Sequence, residues 1–280
     1  MKNPFKPYLQ RFLRQLGIYH RVQASAIFDL YCNLLQRPRI EHRDSEIAFY
    51  RGLLPAFQKG DLIFDIGAND GQKSDVFLRM GAKVVAVEPD EVNQSILKKK
   101  FLWGRWVKKP IIVVGKAASD KCMVETIWID APGSALNTLS RKWVDTLRTD
   151  KNRFGTAFDY RDKKTVETTT LDKLVEAYGL PAFIKIDVEG YEPHVLRGLQ
   201  HPVPLLSFEV NLPEFRPEGI ECIEQLRRLE ERGCFNYSAD CQEGLALAEW
   251  LEPSSFLRVF EECKEKSIEV YWRGATVRPS

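Results

Sequence analysis

The sequence predicts an α/β fold with a doubly wound, mostly parallel sheet. Two observations support the prediction: short apolar strand patterns alternate with helical patterns over residues 62–211, and glycines or acidic residues follow several of those strands. Strand patterns at 234–239 and 267–273 predict an antiparallel edge near the C-terminus. A chain of 280 residues can bury one such domain with extensions, which favours a single domain over two independent ones.

The first strand and the turn after it give the clearest signal, and residues 62–71 read LIFDIGANDG. The apolar run fits a parallel strand covered on both faces, and Gly67 and Gly71 let the backbone pass close to a ligand. Asp65 stands where a dinucleotide-binding turn has its first glycine. A carboxylate there repels a pyrophosphate and suits the ammonium end of a cationic cofactor.

The next two strands add candidate cofactor contacts. Residues 83–88 form a strand pattern that ends in Glu88, whose carboxylate can accept both hydroxyls of a ribose. Together with Asp65, this acid predicts S-adenosylmethionine as the cofactor. A third strand at 111–114 leads to Asp120, which is placed to bond an adenine amino group, although an ordinary turn uses the same residue type.

Helical patterns connect the strands, and several begin at capping residues or end at glycine or proline. Asp90 caps one of them, and the lysine run 98–100 at its far end predicts a solvated helix terminus. The predicted helices are 41–57, 72–80, 91–102, 138–148, 171–177, 217–232 and 254–264.

A second acidic stretch follows the strand at 183–186. Because this strand lies beside the first in a doubly wound sheet, Asp187, Glu189 and Glu192 face the same crevice as the glycine turn. Asp187 ends an apolar strand and needs a polar or cationic partner if it is buried. The alternative is that Glu189 and Glu192 only cap the next helix. His194 on that helix is a candidate for proton transfer.

The strand at 205–211 brings Glu209 and Asn211 to its carboxyl end, where they can join Asp187 and Glu189. Such a group can bind a substrate hydroxyl or act as a general base. Binding a divalent metal is the third and least favoured use, since metal-free hydroxyl recognition employs the same oxygen atoms.

Composition narrows the function classes. The net charge of +2 argues against a nucleic-acid-binding body, and six cysteines without ligand spacing indicate neither a zinc site nor a disulfide framework. No apolar run reaches the ~18–20 residues of a membrane span, and no secretory leader pattern is seen. The predicted location is the cytoplasm.

These motifs resemble the FkbM-type methyltransferase family over residues 60–211. The matching stretches are FDIGANDG at 64–71, VEP at 87–89, TTLD at 169–172, IKIDVEGYE at 184–192 and LRG at 196–198. The resemblance implies a Rossmann-like seven-stranded sheet, mostly parallel with an antiparallel C-terminal edge. It also implies S-adenosylmethionine-dependent methyl transfer to a hydroxyl of a sugar, a polyketide, or another small-molecule or glycan acceptor.

The resemblance also implies residue roles. Glu88 binds ribose, Asp120 lies near adenine, and Asp187 and Glu189 lie beside the transfer site, where either is the candidate base with His194 behind them. The residues implied to bind the methionine end of the cofactor are Asp65, Gly67, Asn69 and Gly71.

The chain then divides into a basic helical extension, 1–57, and a methyltransferase domain, 58–280. Residues 1–40 hold seven Lys or Arg against one acidic residue, and their amphipathic pattern fits packing on the domain, on a second copy in a homodimer, or on a membrane surface. The insertion at 130–165 is predicted as a substrate lid, with a packed decoration as the alternative.

Two other functions stay open at this point. A nicotinamide-dependent oxidoreductase uses the same sheet, but Asp65 in place of a glycine argues against it. A noncatalytic scaffold would keep the fold and bind a membrane or a partner through its basic extension.

Overall fold

The computed structural model describes residues 37–102, 110–149 and 158–275. The predictions for residues 1–36, including the helix pair with its dimer and membrane contacts, lie outside this part of the chain. So does the middle of the insertion, 150–157.

The strands form a seven-stranded sheet and a separate three-stranded sheet. Their bounds are β1 Leu62–Ile66, β2 Lys83–Val87, β3 Ile111–Val114, β4 Ala117–Ala118, β5 Val124–Ile129, β6 Asp162–Thr169, β7 Phe183–Ile186, β8 Leu205–Asn211, β9 Cys234–Ser238 and β10 Ser267–Arg273. The large sheet has the order β3-β2-β1-β7-β8-β10-β9, and the small one has the order β4-β6-β5.

The large sheet confirms the predicted architecture. Strands β1, β2, β3, β7 and β8 run parallel, whereas β10 is antiparallel to both β8 and β9. Strand β7 pairs directly with β1, so that Asp65 lies opposite Lys185 and Ile66 opposite Ile186. The glycine turn and the second acidic stretch therefore leave the sheet side by side, as the sequence predicts.

Helices cover the sheet, and most fall where the sequence predicts them. They are α1 Arg37–Leu53, α2 Gln72–Met80, α3 Glu91–Leu97, α4 Arg141–Thr149, α5 Leu171–Tyr178, α6 Glu192–Arg197, α7 Arg216–Leu229 and α8 Pro253–Glu262. Among the residues that the structure describes, no helix is both long enough and apolar enough to cross a membrane.

Four predicted helices differ from the structure by three residues or more at one or both ends. The helix expected over 41–57 spans Arg37–Leu53, and the one expected over 217–232 ends at Leu229. The helix expected over 91–102 ends at Leu97 and continues as one wider π-helical turn, Lys98–Leu102. The helix expected over 138–148 begins at Arg141, because the hydroxyls of Thr138 and Ser140 accept hydrogen bonds from the amides of Ser140 and Trp143. Local polar side chains thus set the helix start.

Apolar side chains pack against both faces of the sheet. Phe64 and Ile66 join a cluster on one face, whereas Ile63 joins a second cluster with Tyr50 of α1. This alternation follows from the two-residue period of a strand. Tyr50 is fully buried and stacks edge-on against Phe77, so α1 belongs to the core even though it falls within the predicted extension.

We expect Ile184→Ala to lower the free energy of unfolding by about 2–5 kcal/mol, because it opens a cavity in the middle of the sheet. Ile184 of β7 is fully buried. Leu180→Ala is the matched control, since Leu180 is 58% exposed and its loss should change stability by less than about 0.5 kcal/mol. Urea unfolding measures both, and similar losses would contradict the assigned core.

Candidate active site

A pocket of about 520 Å³ opens at the carboxyl ends of β1, β2 and β7. We call it the Glu88 pocket. Its walls include Gly67, Asn69, Glu88, Asp187, Glu189 and Tyr191, together with residues 134, 135 and 137–139 of the insertion. The crevice between adjacent parallel strands is where open α/β sheets bind ligands.

Gly67 lets the two chemical stretches approach each other. Its φ is +81°, and a Cβ atom added there would lie 1.8 Å from the carbonyl oxygen of Asp187. Its amide donates to the carbonyl of Val87, at 2.9 Å. Only glycine fits this position without moving the backbone after β7.

Glu88 has a carboxylate that the backbone holds in place. Oε2 accepts the amide of Asn69 and Oε1 accepts the amide of Asp90, each at 2.8 Å. Burial raises the pKa of Glu88 to about 7, although these two amides act in the opposite direction. Each oxygen keeps a further lone pair, so the group fits a ligand that offers two neighbouring hydroxyls.

Asp65 and Gly71 are not among the residues lining this pocket. Asp65 is 1% exposed and accepts a hydrogen bond from the Ser74 hydroxyl at 2.6 Å. A Cβ atom on Gly71 would meet Leu97 at 2.5 Å, so the close contact there is with α3 rather than with the pocket. Asp65 therefore faces α2, whereas Gly71 is the last residue of the turn and packs against α3.

Lys100 supports the same turn, which the sequence did not reveal. Its ammonium group donates to the carbonyls of Asp70 and Gly71, each at 3.2 Å. The lysine run therefore has a structural contact in addition to its position at a helix end. No local pattern links residues 29 and 30 positions apart, so sequence inspection offered no signal.

Asp120 also lies outside the pocket lining. The hydroxyl of Ser119 is 3.2 Å from the carboxylate of Asp120 and 3.4 Å from the Tyr191 hydroxyl. Tyr191 itself lines the pocket, so the aromatic ring rather than the acid reaches the ligand space at this end. The only sequence signal for Tyr191 is its position in the stretch at 184–192 that resembles the FkbM family.

Asp187, Glu189 and Glu209 converge, as the strand order predicts. One carboxylate oxygen of each lies within 4.8 Å of the others. The backbone carbonyl of Asn211, at the end of β8, accepts the amide of Phe215 at 2.9 Å. The carboxyl ends of β7 and β8 thus place three acids together beside the Glu88 pocket.

Asp187 has the cationic partner that the sequence requires. The Lys185 ammonium group lies 2.7 Å from its carboxylate, and Lys185 is 2% exposed. Burial alone would lower the pKa of Lys185, but the carboxylates of Asp187, Glu269 and Asp65 outweigh it and raise the pKa. The same ammonium overcomes the effect of burial on Asp187 and lowers its pKa.

Glu189 is held in an uncommon backbone conformation, with φ +55°. Its carbonyl accepts a hydrogen bond from the Thr138 hydroxyl at 2.8 Å. Burial, and then the charges of Glu209 and Asp187, raise the pKa of its carboxyl group well above the usual range. Strained residues of this kind cluster at functional sites.

Glu192 is turned into the backbone of the loop before α6. Its Oε1 accepts the amides of Val188 and Gly190, at 3.1 and 3.3 Å. Both amides precede the helix, and no side chain caps α6, so this acid, which is 4% exposed, holds the loop rather than the helix end.

His194 is not brought to the acidic group. Its ring stacks on Tyr191 with 4.1 Å between centroids and 6° between planes, and it is absent from the pocket lining. Burial lowers its pKa, with Arg197 acting in the same direction. The geometry shows an imidazole ring packed on a tyrosine ring.

The first part of the insertion covers the Glu88 pocket. The side-chain amide of Asn137 and the backbone amide of Gly133 both donate to Oδ2 of Asp90, at 2.9 and 3.3 Å. Thr138 ties the same segment to Glu189. Asp90 therefore caps α3 with one oxygen and holds the insertion with the other.

Comparison with known proteins gives the family. The family model for the methyltransferase FkbM domain matches residues 65–233, which is more than half of the chain. The chain belongs to the FkbM methyltransferase family. Its seven-stranded sheet and the match together identify an S-adenosylmethionine-dependent methyltransferase.

Solved structures with a similar course of the chain are distant in sequence. A precorrin-8W decarboxylase of Methanobacterium thermoautotrophicum is 12% identical, with 82% of this chain and 89% of that chain covered and a TM-score of 0.39. A precorrin-6y C5,15-methyltransferase of Geobacter metallireducens is 9% identical over 84% and 88%, also at 0.39. The plantazolicin methyltransferase solved with SAH is 8% identical over 96% and 98%, again at 0.39. No curated protein sequence matches the chain.

We expect Gly67→Ala to weaken binding of S-adenosylhomocysteine at least tenfold in calorimetry, because its Cβ atom would push the Asp187 backbone away from the pocket. Gly60→Ala is the control: Gly60 has φ +100° but nothing within 4 Å of an added Cβ atom. Both variants should lose about 1–3 kcal/mol of stability from backbone strain. Equal affinities in the two variants would show that the close approach at Gly67 does not shape the pocket.

Proposed function

We propose that this protein is an O-methyltransferase that acts on a hydroxyl of a sugar, a polyketide, or another small-molecule or glycan acceptor. The observation that supports it most is the group formed by Asp187, Glu189 and Glu209 at the border of the Glu88 pocket. Methyl transfer to oxygen needs a base for the hydroxyl proton, and these acids are the candidates.

The residues of the Glu88 pocket fit the cofactor that the family implies. Glu88 would bind its ribose, since both carboxylate oxygens are fixed by amides and retain lone pairs. Gly67 and Asn69 would lie along its methionine end. When bound, S-adenosylmethionine supplies a methyl group on a positively charged sulfur, and nearby carboxylates favour that charge.

Glu189 is our preferred base. The Lys185 ammonium group holds Asp187 ionised and weakly basic, whereas burial and Glu209 make Glu189 the stronger base. Glu189 would take the proton of the acceptor hydroxyl, whose oxygen would receive the methyl group that the bound cofactor supplies. Holding the acceptor oxygen in line supplies a large part of the rate.

The domain assignment is part of the proposal. Residues 58–280 form the catalytic domain, and residues 1–57 form an extension whose helix α1 packs on it. The insertion acts as a lid, supported by the contacts of Thr138 and Asn137 with the body of the domain. The cytoplasm is the proposed location.

Calorimetric titration with S-adenosylmethionine and with NAD tests the cofactor. We expect binding of S-adenosylmethionine only, and tight binding of NAD alone would favour the oxidoreductase.

Mass spectrometry of metabolites from cells with and without the protein should then reveal an acceptor heavier by one methyl group. If Glu88→Ala abolishes cofactor binding and leaves the cellular phenotype intact, the scaffold function is correct.

We expect Glu189→Gln to lower kcat by about 10²–10⁴-fold while cofactor affinity changes little. The wild-type kcat/KM should fall as the pH drops, because protonation of Glu189 removes the base and its pKa is raised. The matched variant Glu209→Gln removes a charge that raises this pKa, so the limb of the pH profile should move to lower pH. A profile that stays in place, or full activity of Glu189→Gln, would remove Glu189 from this role.

A further inference from the structure

A second pocket, of about 760 Å³, lies on the other side of Asp187. We call it the acidic pocket. It is bounded by α1, the end of β9 and the start of β10. Its polar lining includes Glu46, Asp187, Glu209, Ser238, Asp240 and Glu269. Asp187 lines both pockets, so a ligand in the acidic pocket can reach the border of the Glu88 pocket.

The acidic pocket carries an excess of negative charge. Its two lysines are already paired: Lys185 with Asp187, and Lys73 with Glu46. The three remaining carboxylates form no ion pair with a lysine or arginine of residues 37–102, 110–149 and 158–275. These carboxyl groups belong to Glu209, Asp240 and Glu269. Burial and the charge of Asp187 raise the pKa of Glu209 to about 8, so Asp240 and Glu269 carry the negative charge near neutral pH. An anionic ligand would meet repulsion here, and a cationic one attraction.

Ser238 provides an independent sign of a ligand. It lies at the end of β9, is 3% exposed and lines the acidic pocket. Its hydroxyl has no hydrogen-bond partner in the described part of the chain. A buried hydroxyl without a partner destabilises the protein, and rotation about χ1 toward the pocket would let it bond a polar ligand atom and relieve this cost.

The remaining polar groups of the pocket are partly satisfied but can still accept. Glu209 accepts the Ser267 hydroxyl at 2.8 Å, and Glu269 accepts the Ser207 hydroxyl. A carboxylate oxygen has about two lone pairs, so each group can also bind a ligand hydroxyl or ammonium. The pocket therefore suits a ligand with several hydrogen-bond donors.

We infer that the acidic pocket binds the methyl acceptor, and that the acceptor is a polyhydroxylated amine of the amino-sugar class. Its hydroxyls bond Glu209 and Ser238, and its ammonium group faces Asp240 and Glu269. Acceptors with a phosphate or carboxylate in this place are excluded. This inference rests on the proposed function, because it takes the reacting hydroxyl to lie beside Asp187.

The test uses the full chain saturated with S-adenosylhomocysteine and calorimetric titration with three probes: methyl glucosaminide, methyl glucoside and methyl glucuronide. We expect the glucosaminide to bind at least tenfold more tightly than the glucoside, and the glucuronide not to bind. Raising the salt concentration should reduce the preference. Equal affinities, a preference for the glucuronide, or no binding of any probe would overturn the inference.

Two variants locate the charge effect. Asp240→Asn and Glu269→Gln should each cost the glucosaminide about tenfold in affinity and leave the glucoside unchanged. Asp240 is exposed, so its variant should fold normally even if Glu269→Gln does not. The control Asp145→Asn removes an exposed acid of α4 outside the pocket and should change neither affinity. Failure of S-adenosylhomocysteine to bind would instead contradict the proposed function.

Discussion

A buried cation organises the carboxyl edge of the sheet. Lys185 lies opposite Asp65 in the neighbouring strand, and its ammonium group contacts Asp187. Burying a lysine is costly unless carboxylates surround it, and ionised carboxylates at this depth need a cation in turn. The charges therefore stabilise one another. Removing Asp187 would leave the Lys185 ammonium group buried without its nearest partner, at a cost of about 3–5 kcal/mol, whereas Asp187 is 34% exposed and would lose less without Lys185. Asp187 of this pair lines both the Glu88 pocket and the acidic pocket, so the pair contributes charge to each.

Strand order and motif spacing made much of this arrangement predictable. Adjacent β1 and β7 follow from a doubly wound sheet, and that adjacency brings Asp187 and Glu189 to the Glu88 pocket. The location of Asp65 could also have been deduced: it alternates with Phe64 and Ile66 along β1, so its side chain faces α2, where Ser74 lies. Its contact with Ser74 explains why it is absent from the pocket lining.

Contacts between distant segments could not be predicted from the sequence. The Lys100 ammonium group donates to a carbonyl of the glycine turn 30 positions away, and the Thr138 hydroxyl donates to the carbonyl of Glu189, 51 positions away. Neither has a spacing that marks it, because tertiary packing alone brings these atoms together. Likewise, Glu189 and Glu192 looked equivalent as capping acids, yet only Glu192 accepts the backbone amides of its own loop, at Val188 and Gly190.

The Thr138 hydroxyl joins two parts of the chain in a way that limits how the enzyme can diversify. It donates to the Glu189 carbonyl and accepts the amide of Ser140, so the start of α4 and the backbone of Glu189 form one unit. A recombination that exchanges the whole insertion would therefore disturb the acid beside it. One that keeps residues 130–140 together with Tyr160, whose hydroxyl donates to the carbonyl of Leu136 at 2.8 Å, leaves that unit intact.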